Sequence, residues 1–461
     1  MPPVDQLEME HWRILLLGRD GAEVLLFHGS SGLEVPEFSV PAGQRVPPYL
    51  NAEAKRRWNV ETVSILPFEV PPGEAAGKTR YFVMQLHRPE EWTSLVPAFV
   101  RSSSVKETSF AFRTDYAAIQ KTMTLDRNDS DPDSCGPFAD FGAFRRISSW
   151  VEKELSALGL TWDGNFSQLH ASPSFSLIRF SAGRCAVWFK AVGEPNLREF
   201  PVTMALAARF PRYVAKPIAA RPEWNAWLAM ELEGQELASS SESADWSSAA
   251  ASLAEIQIAS IEEARHMLGA GTRDLRCRRL LGMTHRFFSR MEMIMDAQTK
   301  TTPRKLSRQE IVAVRRQVIE AIERLQDAGI PDTLNHLDLN AANILVAGRR
   351  CKFLDWAEAA VGNPFLSYQY LHQHFLRADL GKDGEGLLLN AYLDRWATLL
   401  ESAAVRTALR LTPLIAVFAY ALVLPWSDVN LGDGSVHPGL LRSLVRRMSC
   451  ECERINRGRA A

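Results

Sequence analysis

The sequence carries almost no net charge. Its 461 residues include 53 Lys and Arg against 54 Asp and Glu, a formal net charge of -1 at pH 7. A protein held on nucleic acid by electrostatics needs a broad basic face, so this balance argues against that class of partner. The basic run at residues 442–459 is interpreted as a solvated helix face and tail, with a nucleic-acid site as the alternative.

The sequence also lacks a cysteine pattern. Its six cysteines show no spacing typical of a disulfide framework or a zinc site. They are Cys135, Cys185, Cys277, Cys351, Cys450 and Cys452. We therefore expect reduced thiols and a cytoplasmic protein.

Long hydrophobic runs are missing as well. The longest strongly apolar stretch, Pro413 to Leu424, is too short to span a bilayer and predicts a buried helix. The opening residues, MPPVDQLEMEHW, have no basic start followed by an apolar core, so no secretory signal and no membrane partner are expected. The sequence leaves the oligomeric state open.

The composition is that of an ordinary globular protein, with 46% hydrophobic and 23% charged residues. The length of the chain predicts two or three domains. Apolar runs at residues 13–17 and 24–28 flank Gly18-Arg19-Asp20-Gly21 and predict a hairpin. A helix is expected from Leu50 to Trp58, with further strands at 60–70 and 81–87. The chain therefore begins with an α/β domain.

This first domain resembles a degenerate Nudix domain, in its β, loop, helix, β order and in Pro41-Ala42-Gly43 before the helix. A working Nudix helix needs an Arg-Glu pair and a Glu-Glu pair to bind magnesium. Residues 51–62 offer only Glu53 and Glu61, separated by basic residues. The resemblance therefore implies a structural or substrate-selecting domain rather than a hydrolase.

The most informative segment is Asn335 to Pro364, NHLDLNAANILVAGRRCKFLDWAEAAVGNP. Asn343 follows Asp338 by five residues on a polar loop. The apolar run 344–346 predicts a strand, a turn follows at 348–350, and 352–354 predicts a returning strand that ends at Asp355. The hairpin is expected to bring the loop and Asp355 together.

These residue types suit phosphoryl transfer, in which a protein positions the acceptor hydroxyl and neutralises charge with magnesium. Asp338 can accept the hydroxyl proton, and Asn343 and Asp355 supply the hard oxygen ligands that Mg2+ prefers. His336 is expected to brace the loop by hydrogen bonding, and Trp356 to fix it by packing. The alternative is a solvated acidic hairpin without a catalytic role.

The segments HLDLNAAN and FLDWAEAAVGNP resemble the HGDLHPGN and IDWE segments of the aminoglycoside phosphotransferase and choline kinase-like family. Leu337 stands where the family usually has Gly, and Asn340 where it usually has His; neither replaces a metal ligand. The resemblance implies a protein-kinase-like fold and a kinase that uses ATP, or GTP, and Mg2+. Its acceptor would be a hydroxyl of a small molecule whose identity the sequence does not reveal.

Lys190 lies among apolar neighbours in the predicted strand 185–192. A buried ammonium needs an anion, and Glu199, on the helix that begins near Asn196, is the candidate partner. This pair matches the strand lysine and helix glutamate of the kinase fold, which hold nucleotide phosphates. The alternative is a lysine whose stem extends to solvent from an edge strand.

By the same resemblance, the strand 226–231 leads into a hinge where the backbone of Met230 and Leu232 would meet the adenine. The phosphate-covering turn is less typical, because HASPS at 170–174 contains no glycine. That departure supports an alternative function, a nucleotide-binding regulatory module that resembles a pseudokinase and acts through a protein partner. The intact Lys, Asp, Asn and Asp set favours the kinase.

Together these features predict an α+β protein. A bilobal protein-kinase-like fold, with a small β-rich lobe and a helical lobe, follows a separate α/β domain. The expected divisions are an N-terminal domain at 1–130, a linker and connecting helix at 131–160, an N-lobe at 161–238 and a helical C-lobe at 239–461. Aromatic residues after the site are interpreted as helix packing, with an acceptor pocket as the alternative. They are Phe365, Tyr368, Tyr370, His372, His374 and Phe375.

Overall fold

The computed structural model describes residues 8–18, 21–70, 79–88, 99–124, 141–424, 426 and 438–460. The chain divides into two compact units. The first contains residues 1–200 and 216–231, and the second contains residues 201–215 and 232–461. The first ten residues of the linker and connecting helix expected at 131–160 lie outside the described residues, and the expected domain divisions stay predictions.

The first unit is rich in strands. Its helices are α1 (Val46–Trp58), α2 (Arg113–Thr124), α3 (Ala143–Ala157) and the start of α4 (Glu199–Arg209). Its strands are β1 (Met9–Leu17), β2 (Glu23–Leu25), β3 (Phe27–Gly29), β4 (Gly32–Glu34), β5 (Glu37–Pro41), β6 (Thr62–Val70), β7 (Thr79–Leu86), β8 (Phe99–Arg101), β9 (Phe166–Ser172), β10 (Phe175–Ala182), β11 (Cys185–Val192), β12 (Pro217–Arg221) and β13 (Ala226–Met230).

The N-terminal sheet has the order β6-β7-β1-β2-β8, with β5 also paired to β1. The predicted hairpin is confirmed, because β1 and β2 are antiparallel with Leu17 opposite Val24. Strands β1 and β7 run parallel, which makes the sheet mixed. Apolar side chains cover both faces, with α1 packed in one cluster and α2 in the other.

The second sheet of this unit is antiparallel, in the order β12-β13-β11-β10-β9. Helix α3 covers one face, since Ile147 and Val151 are buried in one cluster with Ile178 and Phe189. The amphipathic helix expected at 141–158 is therefore confirmed. Lys190 alternates with Phe189 along β11, so its side chain lies on the opposite face of the sheet.

The second unit is mostly helical. Its helices are the remainder of α4, then α5 (Ser243–Ala259), α6 (Ala264–Gly269), α7 (Cys277–Asp296), α8 (Arg308–Asp327), α9 (Phe365–Ala378), α10 (Gly381–Trp396), α11 (Ser402–Val423) and α12 (Pro438–Ala460). Its short strands are β14 (Gln235–Glu236), β15 (Arg273–Leu275), β16 (Thr333–His336), β17 (Ile344–Ala347), β18 (Arg350–Phe353) and β19 (Ala359–Gly362). A sheet-rich region followed by a helical one confirms the predicted α+β class and the order of its two lobes.

The apolar periodicity of residues 246–268 predicts one helix there, and this prediction is wrong. Helix α5 ends at Ala259, because the Ser260 hydroxyl donates to Gln257 O (2.7 Å) and accepts from the backbone N–H of Leu334 (2.8 Å). This second bond ties the end of α5 to β16, the strand that leads into the catalytic loop. Such a long-range bond leaves no periodic signal in the sequence.

Helix α8 begins as the sequence predicts. Ser307 accepts from the backbone N–H of Glu310 (3.2 Å), and the Glu310 carboxylate accepts from the backbone N–H of Ser307 (2.7 Å). This reciprocal capping box satisfies two of the backbone donors that a helix start leaves unpaired. The helix ends just before Gly329, whose φ is +66°, and the chain then enters β16.

Among the described residues, only α11 is long and apolar enough to cross a membrane, and 56% of its most apolar window is buried inside the protein. Leu411, Ile415 and Phe418 of this helix belong to the core of the second unit. The predicted buried helix is therefore confirmed.

A buried ion pair stabilises the N-terminal sheet and gives the first testable prediction. Asp115 is fully buried on α2. Each of its carboxylate oxygens lies 2.6 Å from Arg13 Nη1, and Oδ1 also accepts from the Tyr81 hydroxyl at 2.7 Å. Asp115→Ala would leave the largely buried Arg13 without this partner, so we expect a loss of about 3–5 kcal/mol in the free energy of unfolding, measured by urea denaturation.

Glu107→Ala is the matched control, because Glu107 is an exposed carboxylate at 3.9 Å from Arg113 Nε. We expect it to change stability by less than about 1 kcal/mol. Equal stability of Asp115→Ala and the wild type would contradict the role assigned to the buried pair.

Candidate active site

The catalytic segment joins β16 to β17 in the second unit. The side-chain amide of Asn343 donates to Asp338 O (2.9 Å) and to the carboxylate Oδ2 of Asp338 (3.3 Å). Asn340 shapes the loop between them, since its Oδ1 accepts from the backbone N–H groups of Ala342 (3.0 Å) and Asn343 (3.2 Å). The structure thus brings Asp338 and Asn343 together, with the Asp338 side chain exposed.

The hairpin β17–β18 delivers the second aspartate. Ile344 lies opposite Phe353, and the backbone N–H of Leu354 donates to Asn343 O at 2.8 Å. Asp355 is the next residue and is also exposed, and it adopts a left-handed conformation with φ 61° and ψ 68°. Such a conformation costs a residue other than glycine about 1–3 kcal/mol and is often found at functional sites. The expected proximity of the loop and Asp355 is confirmed.

The fully buried His336 connects both parts of this segment. Its Nε2–H donates to Leu354 O (2.8 Å), and its Nδ1 accepts from the backbone N–H of Asp338 (3.3 Å). The ring packs on Trp356 with centroids 4.7 Å apart. The predicted bracing roles of His336 and Trp356 are therefore confirmed, and this pairing of hydrogen bonds defines the histidine tautomer.

A buried polar network behind the loop was missed by sequence reasoning. Asn335 donates to Gly362 O (3.0 Å) and accepts from the Ser367 hydroxyl (2.9 Å), and the backbone N–H of His336 donates to that same hydroxyl (2.8 Å). Gln257 of α5 donates to Pro364 O (2.8 Å). Asn335 immediately precedes the recognised motif, and this adjacency was the available signal.

The donor set fits magnesium. The Asn343 amide nitrogen is directed to Asp338, which leaves its side-chain oxygen for a cation. The exposed carboxylate of Asp355 offers further oxygens of the kind that Mg2+ prefers. Among the described residues, no group of three or more His, Cys, Asp or Glu side chains could hold a metal ion. A bound ion would therefore need further oxygen ligands from phosphate or water.

The Asp338 charge affects the pKa values of two side chains of α9. Burial is the main cause that raises the pKa of Tyr370, and the Asp338 charge adds to it. Burial and the Arg377 charge lower the pKa of His374, and Asp338 opposes that shift. Within the described residues the buried Tyr370 hydroxyl has no hydrogen-bond partner. Tyr370 also packs against the core of the second unit, as the sequence predicts.

The other predicted aromatic positions do pack as expected. Phe365, Tyr368 and Phe375 are buried in the core of the second unit. His372 instead forms an ion pair or hydrogen bond with Glu385 at 2.7 Å.

In the first unit, Lys190 lies on β11, the central strand of its sheet. The alternative of a lysine on an edge strand is therefore wrong. Lys190 Nζ contacts the carboxylate of Glu199, the first residue of α4, and both side chains are largely buried. The ammonium also lies 5.0 Å from the centroid of Phe175 and 5.7 Å from that of Trp227. The predicted pairing is observed, and its role in phosphate binding stays a prediction.

The predicted hinge residues lie at the end of β13 and just beyond it. Met230 pairs with Val187, and the backbone N–H of Glu231 donates to Ala186 O at 2.8 Å. Leu232 is the first residue of the second unit along this connection. Adenine binding by the backbone of Met230 and Leu232 stays a prediction.

The carboxylates considered for a Nudix site have basic partners. Glu53 lies 2.7 Å from Arg56 and 2.5 Å from Arg57, and hydrogen bonding from these arginines lowers its pKa to about 2. Glu61 lies 3.8 Å from Lys55. Glu53 is therefore paired on the surface of α1, and Glu61, three residues after this helix, is paired with one of its lysines.

The sequence comparison gives a family match that spans this segment. Residues 194–406 match the family model of the phosphotransferase enzyme family. This match contains Glu199, Asp338, Asn343 and Asp355, and it confirms the predicted resemblance to the aminoglycoside phosphotransferase and choline kinase-like family. No curated protein matches the chain.

Several solved structures resemble the chain at low sequence identity. The macrolide 2'-phosphotransferase of Brachybacterium faecium is 15% identical, with 65% of this chain and 97% of that chain covered and a TM-score of 0.41. The choline kinase of Streptococcus pneumoniae is 15% identical, with 66% and 99% covered and a TM-score of 0.41. The choline kinase of Cryptosporidium parvum is 12% identical, with 68% and 97% covered and a TM-score of 0.49.

The stability of the first unit should depend on His170. Burial, followed by the charges of Arg45 and Lys190, lowers the pKa of His170 from 6.5 to about 4. The unfolded chain therefore binds a proton more readily than the folded chain between these values, so stability falls as the pH drops from about 6.5 to about 4. We expect His170→Gln to make the melting temperature less sensitive to pH in this window.

The exposed His28 provides the control. His28→Gln should leave the pH dependence of the melting temperature as in the wild type. An unchanged pH dependence in His170→Gln would exclude the proposed linkage.

Proposed function

We propose that the protein is a small-molecule kinase that transfers the γ-phosphoryl group of ATP or GTP to an acceptor hydroxyl. The observation that carries this proposal is the arrangement of Asp338 and Asn343 in direct hydrogen-bond contact, with Asp355 at the end of the adjoining hairpin. The family match over residues 194–406 supports it. A cytoplasmic location and a soluble hydroxylated metabolite as the acceptor belong to the same proposal.

The proposed reaction balances without another reagent. The acceptor oxygen forms a bond to the γ-phosphorus as the bond to the bridging β–γ oxygen breaks, and the nucleoside diphosphate leaves. Asp338 receives the hydroxyl proton and holds the acceptor in line. Asn343 and Asp355 would hold Mg2+, which supplies charge neutralisation for the phosphates. Lys190, oriented by Glu199, would bind phosphate.

The acceptor side would include residues that the sequence alone did not favour. The Asp338 charge affects the pKa values of both Tyr370 and His374. The depressed pKa of His374 favours a neutral imidazole near pH 7. A neutral imidazole and a phenol can each donate to or accept from an acceptor hydroxyl. These two side chains are our candidates for contacts that orient the acceptor.

The regulatory module remains a second candidate because of one specific observation. The turn between β9 and β10 is formed by Pro173 and Ser174, without the glycines of a typical phosphate loop. A silent module of this kind would bind nucleotide without turnover and act through a protein partner. Measurements of binding and turnover separate the two functions.

Nucleotide binding is tested by thermal stability. A ligand that binds only the folded state raises the melting temperature. At a concentration 100 times its Kd, it adds about 2.7 kcal/mol to the free energy of unfolding. We expect a magnesium-dependent rise with a non-hydrolysable analogue of ATP or GTP, and its loss in Asp355→Ala. Asp327→Ala, at the exposed end of α8, is the control. No rise with any nucleotide would contradict the proposal.

Turnover is tested by Asp338→Asn, which keeps the size of the side chain and removes its capacity as a base. We expect phosphorylation of an active acceptor to fall by about 100-fold or more, a usual range for a lost general base, while nucleotide affinity is largely retained. Acceptors would be screened among amino sugars, choline, homoserine and sugars by nucleoside diphosphate release. Full turnover by Asp338→Asn would refute the assigned role.

A further inference from the structure

Asp355 has an unfavourable backbone conformation that the contacts around it must maintain. Its φ of 61° lies in the left-handed region, which costs a residue other than glycine about 1–3 kcal/mol. A residue keeps such a conformation only where the surrounding structure fixes the chain on both sides of it. The hydrogen bonds of Leu354 with His336 and Asn343 fix the chain before Asp355. The chain after Asp355 needs restraints of its own.

The chain after Asp355 makes one short 3-10 turn, Trp356–Glu358, and then enters β19. Glu358 ties the end of this turn to the catalytic loop, because its carbonyl accepts from the backbone N–H of Leu337 at 3.2 Å. Leu337 directly precedes Asp338. A displacement of Glu358 would therefore disturb the chain beside both aspartates.

The Glu358 side chain is bound by a cation on β15. Arg273 Nε donates to Glu358 Oε2 at 2.8 Å, and the two side chains are only 22% and 28% exposed. A charge-assisted hydrogen bond is stronger than a neutral one, and partial burial reduces its screening by salt. The ion pair therefore connects the end of the 3-10 turn to a third segment of the second unit.

Strand β15 is closely packed against β19. The two strands run parallel, with Arg273 opposite Ala360 and Leu275 opposite Gly362. A Cβ at position 362 would lie 2.7 Å from Leu275 O, so glycine permits an approach that a larger residue would block. Strand β19 also pairs with β16, which leads into the catalytic loop. Arg273 is thus anchored on a strand that shares a sheet with the catalytic segment.

We infer that Arg273 is a positioning residue of the candidate active site, which acts through Glu358 to keep Asp355 in its left-handed conformation. The inference rests on the proposed kinase function, in which the Asp355 carboxylate would bind Mg2+. Without the arginine, the end of the 3-10 turn loses its side-chain restraint, and Asp355 relaxes to a less strained conformation. The aspartate must then be reordered on binding, and this cost weakens the binding of nucleotide with metal.

The experiment measures nucleotide affinity in the full-length protein in Mg2+ and again in EDTA. The probe is the non-hydrolysable ATP analogue AMP-PNP, or GMP-PNP if only the guanine analogue binds. The ratio of the Kd in EDTA to the Kd in Mg2+ reports the metal-dependent part of binding. We expect Arg273→Ala to reduce this ratio about tenfold, which corresponds to about 1.4 kcal/mol, and to leave the Kd in EDTA unchanged. A general structural defect would instead weaken binding under both conditions.

Further variants test whether the arginine acts through Glu358. Glu358→Ala removes the carboxylate and keeps the backbone carbonyl that accepts from Leu337, so we expect the same loss as in Arg273→Ala. The double variant should lose no more than either single variant, because the two side chains act as one unit. Arg273→Lys keeps the charge and should recover part of the ratio.

Arg276→Ala is the matched control. Arg276 directly follows β15, and its ion-pair partner is Asp274 of that strand, at 2.9 Å, rather than a residue of the catalytic segment. This variant should keep the wild-type ratio. Melting temperatures without ligand would show that the variants fold. If Arg273→Ala were destabilised, Glu358→Gln, which keeps the size of the side chain and removes its charge, should still reduce the ratio.

The outcomes separate the inference from the function on which it rests. A wild-type ratio in Arg273→Ala would overturn the inference alone. An equal loss of affinity in Mg2+ and in EDTA would also overturn it, as would a double variant whose loss in binding free energy equals the sum of the two single losses. Failure of the wild type to bind any nucleotide would overturn the proposed function together with the inference.

Discussion

The candidate active site depends on one buried side chain that connects its two halves. His336 donates to the carbonyl of Leu354 and accepts from the backbone N–H of Asp338. Both contacts lie next to a proposed functional residue. Asp338 would be the base, and Leu354 directly precedes Asp355. The imidazole therefore determines the spacing between a residue of the loop and a residue at the end of the hairpin. A hydrogen-bonded ring in a dry environment is well suited to this task, since leaving either bond unmade would carry a desolvation cost.

The surrounding unit is built to hold that histidine. Ser367 at the start of α9 accepts from the His336 backbone, and Asn335 binds both Ser367 and the carbonyl of Gly362. Further back, Ser260 ends α5 and receives a hydrogen bond from Leu334. Buried polar groups of this kind need partners on several segments, so each bond restricts where the next segment can lie. The exposed aspartates are thus carried by a rigid and fully buried support.

In the first unit, a buried charge is stabilised by a direct ion pair. Lys190 is buried in the central strand of its sheet, where an isolated ammonium would be costly, and Glu199 at the start of α4 compensates it. The N-terminal region is integrated with this sheet through Gln168 and a shared apolar core. Its carboxylates Glu53 and Glu61 are engaged by neighbouring basic residues. The architecture therefore gives this region a role in supporting the β9–β10 turn.

Local pattern by itself predicted most of the secondary structure and the residues of the candidate site. Asp338, Asn343 and Asp355 could be recognised because their hairpin is contiguous, and alternation and turn residues report short-range geometry. Lys190 and Glu199 could be paired because a buried charge demands a partner. Tertiary structure alone decided the end of α5 at Ser260, the hydrogen bond between Asn335 and Ser367, and the contact between Ser64 and Gln168. These depend on hydrogen bonds and burial between residues far apart in the chain, and such contacts impose no periodicity on the sequence.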